Sequence, residues 1–238
     1  MSGGRPGRGA TLAAVLAAAL FPTFATWLYF VILPGTRWMT PVYLACKAAQ
    51  FAFPLVWVLG VERAHPTLWK RPSRVGLFAG LVSGVVLSAS IYFLWNALFA
   101  GGALAERAET AVSEKLAGFG ISTPGGYLLL TAFYCVLHSL LEEYYWRWFV
   151  FGRLRRFVRV APAAVLSSLA FMSHHVLVAG ELAGSYGPLT WIVSLTVAFG
   201  GLVWAWLYDG SRTLYGVWLS HALVDAALLW IGYGLWRG

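Results

Sequence analysis

Charged side chains are scarce in this chain of 238 residues. They make up 11% of it, whereas soluble domains carry about 25%. Acidic residues are the scarcest, with nine Asp and Glu against 17 Lys and Arg, while 60% of all residues are hydrophobic. So little charge cannot cover a water-soluble fold of this size, and the sequence therefore predicts an integral membrane protein.

Cysteine is also rare, and Cys46 and Cys135 both fall inside predicted membrane helices. They make no disulfide framework, and we interpret both as small buried apolar side chains. The sequence has no phosphate-binding glycine loop and no module that interleaves basic and aromatic residues. The net charge of +8 therefore does not indicate nucleic acid as a partner. The basic residues lie in short loops between apolar runs, which is typical of membrane topology and contact with anionic lipid.

Long apolar runs predict about seven membrane-spanning helices, because about 20 apolar residues cross the hydrocarbon core. The predicted spans are 10–33, 41–60, 75–99, 127–151, 162–179, 188–208 and 213–235. We interpret 10–33 as a membrane helix and not as a signal peptide, because it is longer than a signal core and lacks a clear cleavage site. The predicted fold class is thus all-α, a polytopic membrane helical bundle.

One segment, 101–120, is markedly polar and predicts a short surface helix. We divide the chain into 1–124, which holds the N-terminal membrane helices and this surface helix, and 125–238. The third span carries a stripe of small residues at four-residue spacing, formed by Gly76, Gly80, Gly84 and Ser88. Such a stripe lets another helix approach closely, either within the chain or between two copies, and the oligomeric state is left open.

The basic residues also predict the orientation in the membrane. If the N-terminus is cytoplasmic, eleven Lys and Arg residues lie in cytoplasmic segments and four lie on the other side, with Lys47 and Arg147 left out because they lie within helices. This asymmetry favours a cytoplasmic N-terminus and an outside C-terminus, in a bacterial-type inner or plasma membrane.

Two adjacent carboxylates and an arginine interrupt the apolar helix at 127–151, namely Glu142, Glu143 and Arg147. Ionisable residues at membrane depth are costly and indicate a functional site by default. Glu143 precedes Arg147 by four residues, an arrangement that favours a structural ion pair on one helix face. Glu142 lies about 100° from Glu143 around the helix. It therefore points away from this ion pair and is the candidate for a chemical role. We interpret His138, one turn before it, as a hydrogen-bond partner between helices.

Two further spans carry ionisable groups, which are His174 and His175 in the fifth span and His221 and Asp225 in the seventh. We interpret His174 as a structural hydrogen-bond partner. From a rise of 1.5 Å per residue, the other three and Glu142 should lie at a similar depth, roughly 10–20 Å into the membrane. A set of titratable groups at one depth indicates a site.

A carboxylate beside an imidazole can take a proton from water and make it a nucleophile. A second imidazole can hydrogen-bond the oxyanion that forms on an attacked carbonyl, so the set suits hydrolysis of a peptide bond. No Ser or Cys occupies an obvious nucleophile setting, and the zinc-protease motif His-Glu-x-x-His is absent. Glu and His residues could instead hold a divalent metal such as zinc that activates the water. Composition and spacing leave both mechanisms open.

These residues resemble the three signatures of the CPBP family, the CAAX-protease and bacteriocin-processing (Abi) intramembrane proteases. Glu-Glu-x-x-x-Arg matches 142–147, Phe-x-x-x-His matches 171–175, and His-x-x-x-Asn or Asp matches 221–225. The resemblance covers roughly 125–238 and implies a helical core like that of the CAAX endopeptidase. It also implies proteolysis of a membrane-associated peptide or protein, either near its C-terminus or at a leader peptide.

The resemblance further implies roles for individual residues. Glu142 with His175 would activate water, and His221 with Asp225 would stabilise the oxyanion. Glu143 and Arg147, already interpreted as an ion pair, would hold the site in shape.

Two features of the family leave the mechanism open. Members are often labelled metalloproteases, whereas the CAAX endopeptidase is regarded as glutamate-dependent and metal-free. We favour the metal-free mechanism, with Glu142, His175 and His221 as the ligands if a metal is used. The CAAX endopeptidase has Asn where this chain has Asp225, and an aspartate can donate a hydrogen bond only when protonated.

The same residues are compatible with two other functions. A non-proteolytic membrane module for partner binding or immunity would keep the fold and would tolerate Glu142→Ala. A proton-coupled transporter could use the same polar layer, although the sequence shows no inverted repeat and no paired Gly/Pro-broken helices.

Overall fold

The computed structural model describes residues 6–68, 70–98 and 100–237 of the chain. All regular elements of this described part are helices, and the chain is 83% helical. In order they are α1 Arg8–Ile32, α2 Met39–Val61, α3 Arg74–Leu98, α4 Ala103–Gly118, α5 Pro124–Leu154, α6 Val160–Ala183, α7 Pro188–Ser211 and α8 Tyr215–Arg237. All except α4 are long and apolar enough to cross a membrane. The predicted all-α fold with seven spans is confirmed, and α4 is the helix expected in the polar segment.

Local sequence signals set the ends of the helices that carry the motifs. At the start of α5, the side chain of Thr123 accepts a hydrogen bond from the backbone N–H of Gly126 at 3.1 Å. Pro124 follows at the first helical position, where its missing N–H costs nothing. At the C-terminal end of α6, Gly184 adopts a left-handed conformation with φ of 63°, which ends the helix.

Helix α5 is not a regular α-helix. Phe133–His138 and Tyr144–Phe151 are π-helical, and they flank the short α-helical segment Ser139–Glu143. A π-helical turn bonds residue i to i+5 and is frequent at functional sites. The rule that residues four apart share a face therefore does not carry through to Arg147, and its ion pair with Glu143 stays a prediction.

The chain forms two compact units, each assembled from segments distant in sequence. The first unit contains α1, α2, residues 144–154 of α5, α6 and α7. The second unit contains α3, α4, residues 124–143 of α5 and α8. The division of the chain at 124/125 stays a prediction.

Aromatic side chains from the end of α5 fill the core of the first unit. Trp146, Phe149 and Phe151 have no solvent exposure. Tyr145 is buried as well and donates from its hydroxyl to the carbonyl oxygen of Ala18 at 2.7 Å. This bond satisfies a polar group that would be costly to bury alone, and it ties α5 to α1.

The first unit also contains a cluster of ion pairs at the end of α2. Glu62 accepts hydrogen bonds from Arg153 at 3.0 Å and from Arg156 at 2.9 Å. Burial alone would raise the pKa of the Glu62 carboxyl, but the hydrogen bonds and charges of the two arginines outweigh it and lower that pKa below its usual 4.5. The two arginines thus fasten the connector after α5 to the end of α2.

In the second unit, the small-residue stripe of α3 packs against α8. A Cβ atom built on Gly80 would lie 2.1 Å from the carbonyl oxygen of Gly216, and one on Gly84 would lie 2.9 Å from the Cα of Ser220. Ser88 donates to the carbonyl oxygen of Leu223 at 2.9 Å. Of the two readings of the stripe, contact within the chain is the one observed, and it holds α8 close to α3.

Candidate active site

His221 in α8 is surrounded by three carboxyl groups of the second unit. Its Nδ1 lies 2.8 Å from Oε1 of Glu143, and its Nε2 lies 3.8 Å from Oε2 of Glu142 and 3.6 Å from Oδ1 of Asp225. His221, Glu142 and Glu143 are all buried, with at most 4% exposure. Four of the six residues predicted for the site are therefore together in the second unit.

The contacts of His221 divide its two ring nitrogens between different partners. An ionised carboxylate only accepts hydrogen bonds, so an ionised Glu143 fixes the proton on Nδ1. Nε2 then faces Glu142 and Asp225. A histidine whose one nitrogen is held by a carboxylate has its ring orientation and tautomer set for use of the other nitrogen.

His138 also contacts this cluster. Its Nε2 lies 3.7 Å from Oε1 of Glu142, and its side chain is 20% exposed, compared with 4% for that of Glu142. The ring of Tyr134 lies beside it, with 4.9 Å between the ring centres. Because His138 and Glu142 are four residues apart, about one helical turn, the sequence predicts that they lie close together. Because the motifs do not include His138, the sequence indicates for it only the role of a partner between helices.

The second motif lies in the first unit, on α6. Nδ1 of His175 is 3.0 Å from the carbonyl oxygen of Phe171. A carbonyl oxygen can only accept, so Nδ1 of the neutral ring carries the proton and Nε2 carries the lone pair. Nε2 is therefore the nitrogen able to take a proton or to ligate a metal. The four-residue spacing of the motif creates this arrangement within one helical turn.

The side chain of Phe171 also makes a contact, because its ring lies against Arg147. The guanidinium of Arg147 lies 5.0 Å from the ring centre of Phe171 and 5.3 Å from that of Trp204. Arg147 has no solvent exposure, and the faces of aromatic rings attract a cation at these distances. Trp204 belongs to none of the motifs, so motif spacing gave no signal for it.

His174 occupies a different environment from His175. Its ring stacks on that of Trp146, with 5.8 Å between centres and 4° between planes, and it is 5% exposed. The structural role interpreted for His174 stays a prediction. Both histidine rings also contact that of Phe171, so the two histidines differ in that His174 stacks on Trp146 and His175 bonds to a backbone carbonyl.

The comparisons with known proteins identify the segment that carries these residues. Residues 124–227 match the family model described as Type II CAAX prenyl endopeptidase Rce1-like. No curated protein and no solved structure matches the chain. The matched segment begins at the first residue of α5 and ends two residues after Asp225, so it includes all three motifs.

This match confirms the family predicted from the motifs. Together with seven apolar helices, it identifies an integral membrane protein with a CAAX-protease-like helical bundle. It supports the activity of a CAAX-type intramembrane peptidase acting on a peptide substrate in a lipid environment. Through residues 124–227, the chain is thus similar to the CPBP family of membrane proteases.

Proposed function

We propose that the chain is an endopeptidase that hydrolyses a peptide bond of a membrane-associated protein or peptide, using water activated by Glu142 and His175. The observation that carries the proposal is the buried cluster in which Glu142, Glu143 and Asp225 surround His221. Burying three carboxyl groups around one imidazole is a poor way to stabilise a small bundle. Such a cluster is suited to holding and transferring protons.

In the proposed reaction, Glu142 takes a proton from water with the assistance of His175. The oxygen of the water then attacks the carbonyl carbon and forms a tetrahedral oxyanion. When the C–N bond breaks, Glu142 returns the proton to the leaving amine, so that a carboxylic acid and an amine are formed. A positioned general acid–base of this kind contributes about 10²–10⁴-fold to a rate.

His221 and Asp225 stabilise the oxyanion in this proposal. While Nδ1 of His221 donates to Glu143, donation from Nε2 requires the doubly protonated ring, and the carboxylate of Glu143 balances that charge. Asp225 donates a hydrogen bond when it carries a proton, which gives it the role of the amide in the family's Asn variant. Hydrogen-bond donors aimed at a developing oxyanion contribute strongly to the rate of such a reaction.

Water activation by a divalent metal is the alternative to this reaction. Oε2 of Glu142 and Nε2 of His221 lie 3.8 Å apart, close to the separation of about 3.4 Å expected for two ligands at about 2.1 Å from a tetrahedral zinc ion. Glu142, His175 and His221 would hold such an ion, which would make a bound water more acidic. We favour the metal-free reaction.

The proposed substrates are polypeptides cut near the C-terminus or at a leader peptide, and the proposed orientation has a cytoplasmic N-terminus. The orientation rests on the asymmetry of Lys and Arg between the two sets of loops.

A cleavage assay in liposomes tests the proposal. The substrates are prenylated CAAX peptides, leader peptides and C-terminal sorting tails, each with and without a chelator. The variants Glu142→Ala and His175→Ala are compared with wild type and with Glu114→Ala, an exposed glutamate on α4. We expect wild type and Glu114→Ala to cut at least one substrate class, and the other two variants to lose about 10²–10⁴-fold in rate.

The outcomes separate the alternatives. Cleavage that the chelator does not affect supports the glutamate–histidine mechanism, whereas loss on chelation with recovery on adding zinc identifies a metalloprotease. Full activity of Glu142→Ala contradicts the catalytic role of Glu142. If no substrate in the panel is cut, the non-proteolytic membrane module becomes the better account.

A further inference from the structure

A cavity of about 340 Å³ lies in the second unit, apart from the carboxylate cluster. Tyr92, Trp95 and Asn96 line it from the last two turns of α3, and Trp230 lines it from the end of α8. Glu109 of α4 also lines the cavity. The volume lies within the range of about 300–1,000 Å³ that is typical of small-molecule sites.

The position of the cavity places it at the edge of the membrane. The last turns of two spanning helices lie where the hydrocarbon gives way to lipid headgroups, and Tyr and Trp are enriched at that level. Tyr92 is 51% exposed and Trp230 is 68% exposed, so both rings are accessible to lipid. The cavity is therefore open to the headgroup layer.

The lining is suited to a cation. Glu109 is exposed and is the charged residue among those that line the cavity, and no Lys or Arg lines it in the described part of the chain. Three aromatic residues supply ring faces that attract ammonium groups. The side-chain nitrogen of Asn96 donates to the carbonyl oxygen of Tyr92 at 2.8 Å, which fixes the amide and leaves its oxygen as a further acceptor.

We propose that this cavity binds the ammonium group of a zwitterionic phospholipid. Glu109 balances the positive charge, and the rings of Trp95 and Trp230 contact the carbon atoms beside the nitrogen. The acyl chains of the same lipid continue along apolar side chains that α3 and α8 expose, such as Phe93 and Leu228. The proposal concerns a lipid site and is independent of proteolysis.

Native mass spectrometry of the detergent-purified full chain tests this site. The protein is mixed with equal amounts of phosphatidylethanolamine and phosphatidylglycerol that have identical acyl chains, and the ratio of retained lipids is measured. We expect wild type to retain phosphatidylethanolamine preferentially. Glu109→Gln should reduce the preference about two- to fivefold, as the loss of one exposed ion pair to an ammonium implies.

Glu114→Gln is the matched control, because it makes the same charge change on the same helix outside the cavity. Trp230→Leu serves as a second variant if Glu109→Gln does not fold, with the exposed Trp206 of the first unit changed to Leu as its control. We expect both controls to keep the preference. Soluble phosphoethanolamine at millimolar concentration should compete with the lipid, whereas a lysine-rich peptide at the same concentration should not.

Three results would overturn the proposal. These are equal retention of both lipids by wild type, equal loss of preference in Glu109→Gln and Glu114→Gln, and displacement of the lipid by a lysine-rich peptide but not by phosphoethanolamine. The last would assign the cavity to a peptide.

Discussion

Two buried cationic or titratable side chains, Arg147 in the first unit and His221 in the second, have different surroundings. In the first unit, the buried guanidinium of Arg147 lies against the rings of Phe171 and Trp204. In the second unit, the buried imidazole of His221 lies among three carboxyl groups. Aromatic rings hold a charge in place without exchanging protons, whereas carboxyl groups and imidazoles exchange them. This difference is what we expect if the first arrangement supports the proposed site and the second carries out its chemistry.

Of the next three tests of this comparison, substitution of Asp225 has the largest expected effect. Asp225→Leu removes a polar group 3.6 Å from Nε2 of His221, and we expect kcat to fall about 10²–10³-fold, as for the loss of an oxyanion donor. Asp225→Asn keeps a donor, so kcat should stay within about tenfold of wild type. Steady-state cleavage of the best substrate measures both. An Asn variant as inactive as the Leu variant would show that Asp225 acts as a carboxylate.

The close approach of α3 and α8 is tested by stability. In Gly80→Ala the new Cβ would lie 2.1 Å from a backbone oxygen of Gly216, so the helices must separate. We expect a loss of about 1–3 kcal/mol in the free energy of unfolding, seen as a lower melting temperature in detergent. Gly60→Ala in α2 is the control, because nothing lies within 4 Å of its Cβ position. Equal melting temperatures for the two variants would contradict the packing of the second unit.

The smallest effect is expected at Glu62 in the first unit. Its pKa is lower in the folded protein than its usual 4.5, so the folded state favours the ionised carboxylate. This contribution to stability is present above pH 4.5 and is lost as the pH falls through the lowered pKa. Melting curves between pH 3 and 7 should show an acid-induced loss that is smaller in Glu62→Gln than in wild type. An unchanged acid dependence would exclude Glu62 as its source.

The sequence predicts the architecture better than it predicts the contacts of the site. Apolar runs of about 20 residues have few alternatives to a membrane helix, so seven spans and the short helix α4 are predictable without the structure. The spacing His221–Asp225 is predictive as well, because α8 is regular and residues four apart meet. Contacts between residues of one regular helix can therefore be predicted from their spacing.

Contacts that depend on tertiary structure or on irregular helices are not predictable in this way. The π-helical segments on both sides of Ser139–Glu143 change which face each residue occupies, and no sequence period of 3.6 indicates them. The sequence indicates Glu143 only as a partner of Arg147, yet Oε1 of Glu143 lies 2.8 Å from Nδ1 of His221. Trp204 reaches Arg147 only because α7 packs in the same unit. Pairings of this kind depend on the tertiary structure and cannot be predicted from helix periodicity.

The most direct test of the central claim measures activity and stability in one sample of Glu142→Gln. Gln has the shape of Glu but cannot take a proton from water. If the carboxylate cluster is catalytic, kcat falls about 10²–10⁴-fold, while the melting temperature is unchanged or higher because one buried charge is gone. A Glu142→Gln protein that melts at a lower temperature and still cleaves at the wild-type rate would show that the cluster is structural.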